Sequence, residues 1–312
     1  MLEEQLMTRT RQKGEAAAPA APATEAAAGP KPEPAWHDYP GEGAPDDHTV
    51  VGTVKRMEGV HSPQLGNERD LLVYLPPSYG RSSRRYPVLY MHDGQNLFDR
   101  ATSFGEEWEV DQTLEQASEA GLEAIVVGIP NTPARLDEYS PWRDRKHAAG
   151  GRGDAYLDFI VQTVKPMIDR DFRTLPKRES TGIAGSSMGG LISLYAFFRH
   201  PEVFGFTGVM SPALWYGGRS IFPFVKKSPF TPGRIYLDVG TNEGSEELHD
   251  VRRLKQLLEE KGYHLGRDLL YVVEMGGQHN ERAWARRLRR ELHFLLGIPL
   301  PAKQPVRAQP VL

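Results

Sequence analysis

No cysteine occurs among the 312 residues. That absence excludes disulfides, thiolate metal sites and a cysteine nucleophile, so a covalent catalyst here has to be Ser, Thr, Lys, Asp, Glu, His or Tyr. A surplus of one charge is missing too. With 38 basic and 41 acidic residues the formal net charge is only -3, too small for a global field that would hold nucleic acid or anionic lipid. Neither partner is expected. No apolar run approaches bilayer-spanning length, and the start, Met1 to Met7, has no basic n-region followed by an apolar stretch, so it does not read as a signal peptide. The expected location is the cytoplasm.

Branched apolar residues are scarce between residue 8 and about residue 47, where Ala, Pro, Glu and Gly dominate. Such a segment has too little apolar surface to pack. Residues 1–47 are therefore expected to be a disordered extension, 48–298 one folded domain, and 299–312, with Pro299, Pro301 and Pro305, a loose tail. No internal repeat is visible, and the oligomeric state is left open.

From Thr49 the texture changes to short β-type runs: 50–54, 69–75, 88–91 and 124–129, continued near 181–185, 205–210, 234–239 and 269–274. The first two suggest an antiparallel start. From the third onward helical segments intervene, which implies a mostly parallel sheet covered on both faces. Helices are expected over 106–119, 154–170 with a kink at Pro166, 245–261 and 281–296. The third carries Leu248, Val251, Leu254 and Leu258 as a stripe, with Ser245 as its cap and Gly262 at its end.

One serine is set among small residues where strand becomes helix: Gly185-Ser186-Ser187-Met188-Gly189-Gly190. Behind it lies Thr181-Gly182-Ile183-Ala184; ahead, Leu191, Leu194, Tyr195 and Phe198 recur at helical spacing. This pattern predicts a nucleophile elbow with Ser187 at the bend, glycine being needed at 185 and 189 for close packing. The amide of Met188, at the helix start, is then placed to donate to an oxyanion.

A serine hydroxyl needs a base, and the base needs a partner that fixes its tautomer. In a sheet enzyme these groups gather at the carboxyl ends of strands. His279 follows the last strand on the glycine-containing loop 275–280 and is the expected base. The acid should follow the preceding strand, and Glu243, in the loop beyond it, is favoured over Asp238, inside it. A second oxyanion donor is expected from the loop His92-Asp93-Gly94-Gln95-Asn96-Leu97-Phe98, through the amide of Gly94 or Gln95. No His-Glu-x-x-His or similar spacing occurs, so neither metal nor cofactor is expected.

Tyr90 to Phe98, Arg135 with Glu138-Tyr139-Ser140-Pro141, the Gly185 to Gly190 run and Gly240-Thr241-Asn242-Glu243 together resemble an esterase family that includes enterochelin esterases, feruloyl esterases and esterase D. The likeness extends in order over about residues 50–297. It implies an α/β-hydrolase fold with a central sheet of about eight strands and serine esterase activity, with Ser187 as nucleophile and His279 as base. Feruloyl-esterase-like members have Gly-Thr-Asn-Asp where this chain has Gly240-Thr241-Asn242-Glu243, which points to Glu243 as the acid.

The expected substrate is a small-molecule ester: an acylated sugar, a phenolic ester or a siderophore ester. Trp142, Trp215 and Tyr216 are candidate aromatic walls, and Arg135 is a candidate contact for a polar part of the substrate. The same machinery could pass the acyl group to an alcohol other than water, as in mycolyltransferase relatives of the fold. A catalytically silent binding protein on a hydrolase scaffold is the remaining alternative, and it is disfavoured because serine, acid and histidine are all present in order.

Overall fold

A computed structural model describes residues 35–297, which lie within one compact unit, Pro34–Leu312. The expected extension up to residue 34, residue 298 and the whole expected tail, 299–312, fall outside the described residues. Nine strands form one sheet: β1 (His37–Tyr39), β2 (Thr53–Ser62), β3 (Asn67–Leu75), β4 (Val88–His92), β5 (Ile125–Ile129), β6 (Thr181–Ser186), β7 (Phe206–Met210), β8 (Arg234–Gly240) and β9 (Leu269–Glu274). Their spatial order is β1-β2-β3-β5-β4-β6-β7-β8-β9. β1, β2 and β3 join antiparallel, β3 meets β5 antiparallel, and every pair from β5 to β9 is parallel. The chain has the α/β-hydrolase fold.

Eight α-helices are described: α1 (Val110–Ser118), α2 (Arg135–Glu138), α3 (Gly153–Phe159), α4 (Lys165–Asp171), α5 (Met188–Arg199), α6 (Ile221–Lys227), α7 (Ser245–Lys261) and α8 (Glu281–Leu295). Successive strand residues point to opposite faces, and the core divides accordingly. Tyr90, Ile125, Val127, Ile183, Leu237 and Val239 pack with apolar residues of α3 to α7 on one face. Leu89, Met91, Val126, Ala184 and Tyr236 pack with Val110 and Leu114 of α1 and Trp284, Leu288 and Leu292 of α8 on the other. Both faces are covered, which is why the central strands read as continuous apolar runs. No helix among the described residues is long and apolar enough to cross a membrane.

Three expectations change. First, the sheet extends into the segment expected to be disordered: β1 pairs with β2, and the buried Tyr39 donates its hydroxyl to Asp99 Oδ2 at 2.5 Å. The sheet therefore has nine strands, and the folded unit begins before residue 48. Three residues are too few to show a period, and Tyr39 is held by a partner 60 positions away. Second, the helix expected over 154–170 is not α-helical throughout: a π-helical stretch, Ile160–Val164, separates α3 from α4. Pro166 is the second residue of α4, directly after the π-helical stretch. Third, Ser245 is the first residue of α7 and its side chain makes no cap; the cap position is Gly244, at φ 129.

Candidate active site

Ser187 stands between β6 and α5 with φ 55 and ψ -119, a backbone conformation that an L side chain holds only under constraint. The constraint is visible. Its N–H donates to the Met210 carbonyl at 3.0 Å, and its own carbonyl accepts from Leu191 at 3.0 Å and Ala213 at 2.9 Å. The elbow also needs close packing: a Cβ on Gly185 would lie 3.0 Å from both the Gly189 carbonyl carbon and His92 Cδ2.

His279 and Glu243 come from the loops after β9 and β8, at the same carboxyl edge of the parallel strands. His279 Nδ1 lies 3.0 Å from Glu243 Oε2. A proton on Nδ1 leaves Nε2 as the acceptor that a serine hydroxyl requires. The His279 ring stands edge-on to Trp284 at 5.1 Å. Glu243 is not exposed, and burial alone would raise its pKa; hydrogen bonds from His279 and Ser211, with the charge of Arg287, hold it below the usual glutamate value. Its second oxygen, Oε1, accepts from Gly240 N at 2.6 Å and from Ser211 Oγ at 2.7 Å.

Asp238, the alternative acid, is placed differently. It is fully buried within β8, accepts from Ser211 N at 3.0 Å and from the Tyr236 hydroxyl at 2.9 Å, and burial pushes its pKa up to about 6. Asp238 contacts these structural groups and Arg287, whereas Glu243 touches the imidazole.

The loop after β4 turns through Asp93, at φ 55, into a short 3-10 turn, Gly94–Asn96. Glycine is required at 94 because a Cβ there would come within 2.5 Å of the Gly128 carbonyl carbon and of Ile129 N, at the end of β5. Asp93 locks the turn. Its N–H donates to the Tyr139 hydroxyl at 3.1 Å, and its carboxylate accepts from Asn131 Nδ2 at 2.6 Å and from Arg135 Nε and Nη2, both at 2.8 Å. Burial works against ionisation of Asp93, yet the Arg135 charge and these hydrogen bonds keep its pKa low. Gln95 joins the same loop to residue 131 by accepting the Asn131 N–H at 3.1 Å. Among the described residues no hydrogen bond to another element engages the amides of Gly94, Gln95 or Met188. His92 is buried behind the elbow, donating to or accepting from the Tyr156 hydroxyl at 2.8 Å, and burial lowers its pKa to about 3.

Two of the residues expected to touch substrate have other contacts. Tyr216 is fully buried and stacks on His147 at 5.5 Å, so it offers no face to a ligand. Arg135 is the brace of Asp93 and also covers the Tyr139 ring at 5.0 Å. Trp142 is half-buried against Tyr195 and Phe224, and Trp215, also half-buried, packs against His147 at 5.4 Å. Sequence reasoning missed Asp93 as the anchor of its loop, together with Ser211 and Arg287 behind Glu243. Asp93 adjoins the candidate oxyanion residues and was within reach of a sequence argument; Ser211 and Arg287 carry no local signal.

A strained serine after the central parallel strand β6, with an acid on the loop after β8 and a histidine on the loop after β9, is the arrangement of an α/β serine hydrolase. The comparisons narrow the class. The family model described as "Putative esterase" matches residues 62–295, and the chain belongs to this esterase family. It is 31% identical over 255 residues to the Bacillus subtilis (strain 168) protein YbbA, covering 77% of this chain and 98% of that one. A siderophore enterobactin esterase of Emericella nidulans is 30% identical over 193 residues, which are 55% of this chain and 62% of the relative. In fold, the enterobactin esterase FES from Shigella flexneri superposes with a TM-score of 0.64 at 20% identity, over 81% of this chain and 61% of that one.

Proposed function

We propose that the chain hydrolyses a carboxylic ester through an acyl-enzyme, with Ser187 as nucleophile, His279 as general base and Glu243 as the acid that orients it. The observation that carries this is the constrained Ser187 at the carboxyl edge of β6, on the same edge as the His279–Glu243 pair at 3.0 Å. His279 Nε2 takes the serine proton as Oγ attacks the ester carbonyl, and returns it to the leaving alcohol. Glu243 stabilises the imidazolium between these steps. The amides of Met188 and of Gly94 or Gln95 receive the charge on the carbonyl oxygen. Water then enters, gives up a proton to His279 and releases the acid.

For substrate we favour an aryl-bearing ester of the phenolic or siderophore type. The support is two half-buried tryptophans in segments beyond the carboxyl ends of strands, Trp142 after β5 and Trp215 after β7, and the enterobactin esterases among the relatives. The test is a panel of alkyl, sugar, feruloyl and catecholate trilactone esters, run with the parent and Ser187→Ala, alongside labelling by a fluorophosphonate probe. The expected result is preference for aryl-bearing esters and loss of both turnover and labelling in Ser187→Ala. Turnover or labelling that persists in that variant would remove Ser187 from the mechanism, and equal rates across the panel would remove the substrate preference.

A further inference from the structure

Behind the acid, on the side away from His279, lies an arginine that the sequence does not single out. Arg287, on the second turn of α8, has a side chain only 4% exposed. Its Nη2 donates to Ser211 Oγ at 2.9 Å, and Nη1 and Nη2 both reach Glu243 Oε1 at 3.4 Å. Its Nε lies 3.1 Å from Asp238 Oδ2 and 3.8 Å from Glu274 Oε2. Ser211 completes the set, because its hydroxyl oxygen also receives the Trp284 indole N–H at 3.0 Å.

A hydroxyl has one proton and two lone pairs. With two N–H groups, from Arg287 and Trp284, aimed at its oxygen, Ser211 has only its proton left to offer, and the acceptor at 2.7 Å is Glu243 Oε1. One oxygen of the glutamate is thereby saturated from behind by Ser211, Gly240 and the guanidinium. The other oxygen is left to the imidazole. Resting on the triad proposed above, we infer that Arg287, working with Ser211, is a positioning residue: it fixes the Glu243 carboxylate in its ionised form and in the rotamer that presents Oε2 to His279.

The groups that face this arginine and could share its charge are Asp238 and Tyr236 from β8, Glu274 from β9, Glu291 from α8 and Glu243 itself. Glu243 is the one that touches the histidine. Removing the guanidinium leaves that carboxylate buried with less positive charge beside it, so it gains a proton at a higher pH and its bond to Nδ1 is lost earlier on acidification.

The test compares the parent with Arg287→Met, Arg287→Lys, Ser211→Ala and Ser187→Ala, each checked by circular dichroism melting, with kcat and KM measured on an activated aryl ester from about pH 5 to 9. Arg287→Met is expected to lower kcat roughly ten- to a hundredfold, the range of one charge-assisted hydrogen bond, with KM little changed. The acidic limb of its pH profile should move to higher pH, and Arg287→Lys should restore both. Ser211→Ala should shift kcat in the same sense, and it carries the test if Arg287→Met does not fold. A parental kcat and acidic limb in the folded variants, with Ser187→Ala inactive, would overturn the role of Arg287 and leave the triad standing. Turnover that survives Ser187→Ala would instead overturn the triad.

Discussion

His279 Nδ1 meets Glu243 Oε2 at 3.0 Å, while Asp238, five positions earlier, contacts the Ser211 amide and the Tyr236 hydroxyl. Two carboxylates near the end of one strand thus have different partners, set by the direction each side chain takes. The same contrast ranks their variants. Glu243→Gln is expected to lower kcat by about three to four orders of magnitude with little change in KM, because an amide neither selects the tautomer nor stabilises the imidazolium. Asp238→Asn should act mainly on the melting temperature. Steady-state kinetics with melting curves on both proteins decide it, and the reverse ranking would give the acid's role to Asp238.

Gly94 is pressed against the end of β5, and an added methyl would meet backbone atoms of Gly128 and Ile129 at 2.5 Å. Gly94→Ala must therefore displace the loop that carries the candidate oxyanion donors. We expect at least a tenfold fall in kcat, with a lowered melting temperature, since neither strand backbone can yield cheaply. A fully active Gly94→Ala protein would place the second donor elsewhere.

Asp99 ties the start of the folded unit to the segment following that same loop. It accepts from the Tyr39 hydroxyl at 2.5 Å and from the amides of Thr49 at 3.2 Å and Ala101 at 3.0 Å. Tyr39→Phe keeps the ring and removes one hydrogen bond to a buried carboxylate. It is expected to cost about 1.5–3 kcal/mol, read as a lower urea midpoint at unchanged m-value. A chain starting at residue 50 should lose more, because β1 and every contact of residues 39–49 to Asp99 go with it. Parental stability in both proteins would show that this strand contributes nothing to the fold.

Glu291 is fully buried on α8, neither of its oxygens has a hydrogen-bond partner among the described residues, and burial raises its pKa well above the ordinary value. Unfolded, it ionises near about 4.3. Between that pH and its higher folded value the folded protein holds one more proton, so the stability this residue supports is complete below about pH 4.3 and falls as pH rises. Glu291→Gln removes the titration. Its stability relative to the parent should climb with pH from about pH 5 to 8, by at most about 1.4 kcal/mol per unit. A difference in melting temperature that does not vary with pH would contradict a protonated Glu291.

Much of the architecture was local enough to be legible in the chain. Continuous apolar runs marked the buried strands, and the stripe Leu248, Val251, Leu254 and Leu258 marked α7 over 245–261. Small residues around Ser187 marked the turn because close packing tolerates little else there. Strand order then placed His279 and Glu243 on loops at one edge. These features are legible because backbone periodicity and glycine sterics act over a few residues. What required the tertiary structure acts between residues far apart in the chain. Tyr39 joins a strand by pairing opposite Val54, and its side chain is held by Asp99, 60 positions away. Arg135 braces Asp93 across 42 positions, and Tyr216 is enclosed by side chains from other loops. Arg287 reaches Ser211 across 76 positions and Glu243 across 44. On its own helix it is one arginine among several. Its partners exist only once α8 has packed across β7 and β8, and burial then makes each pairing strong enough to matter.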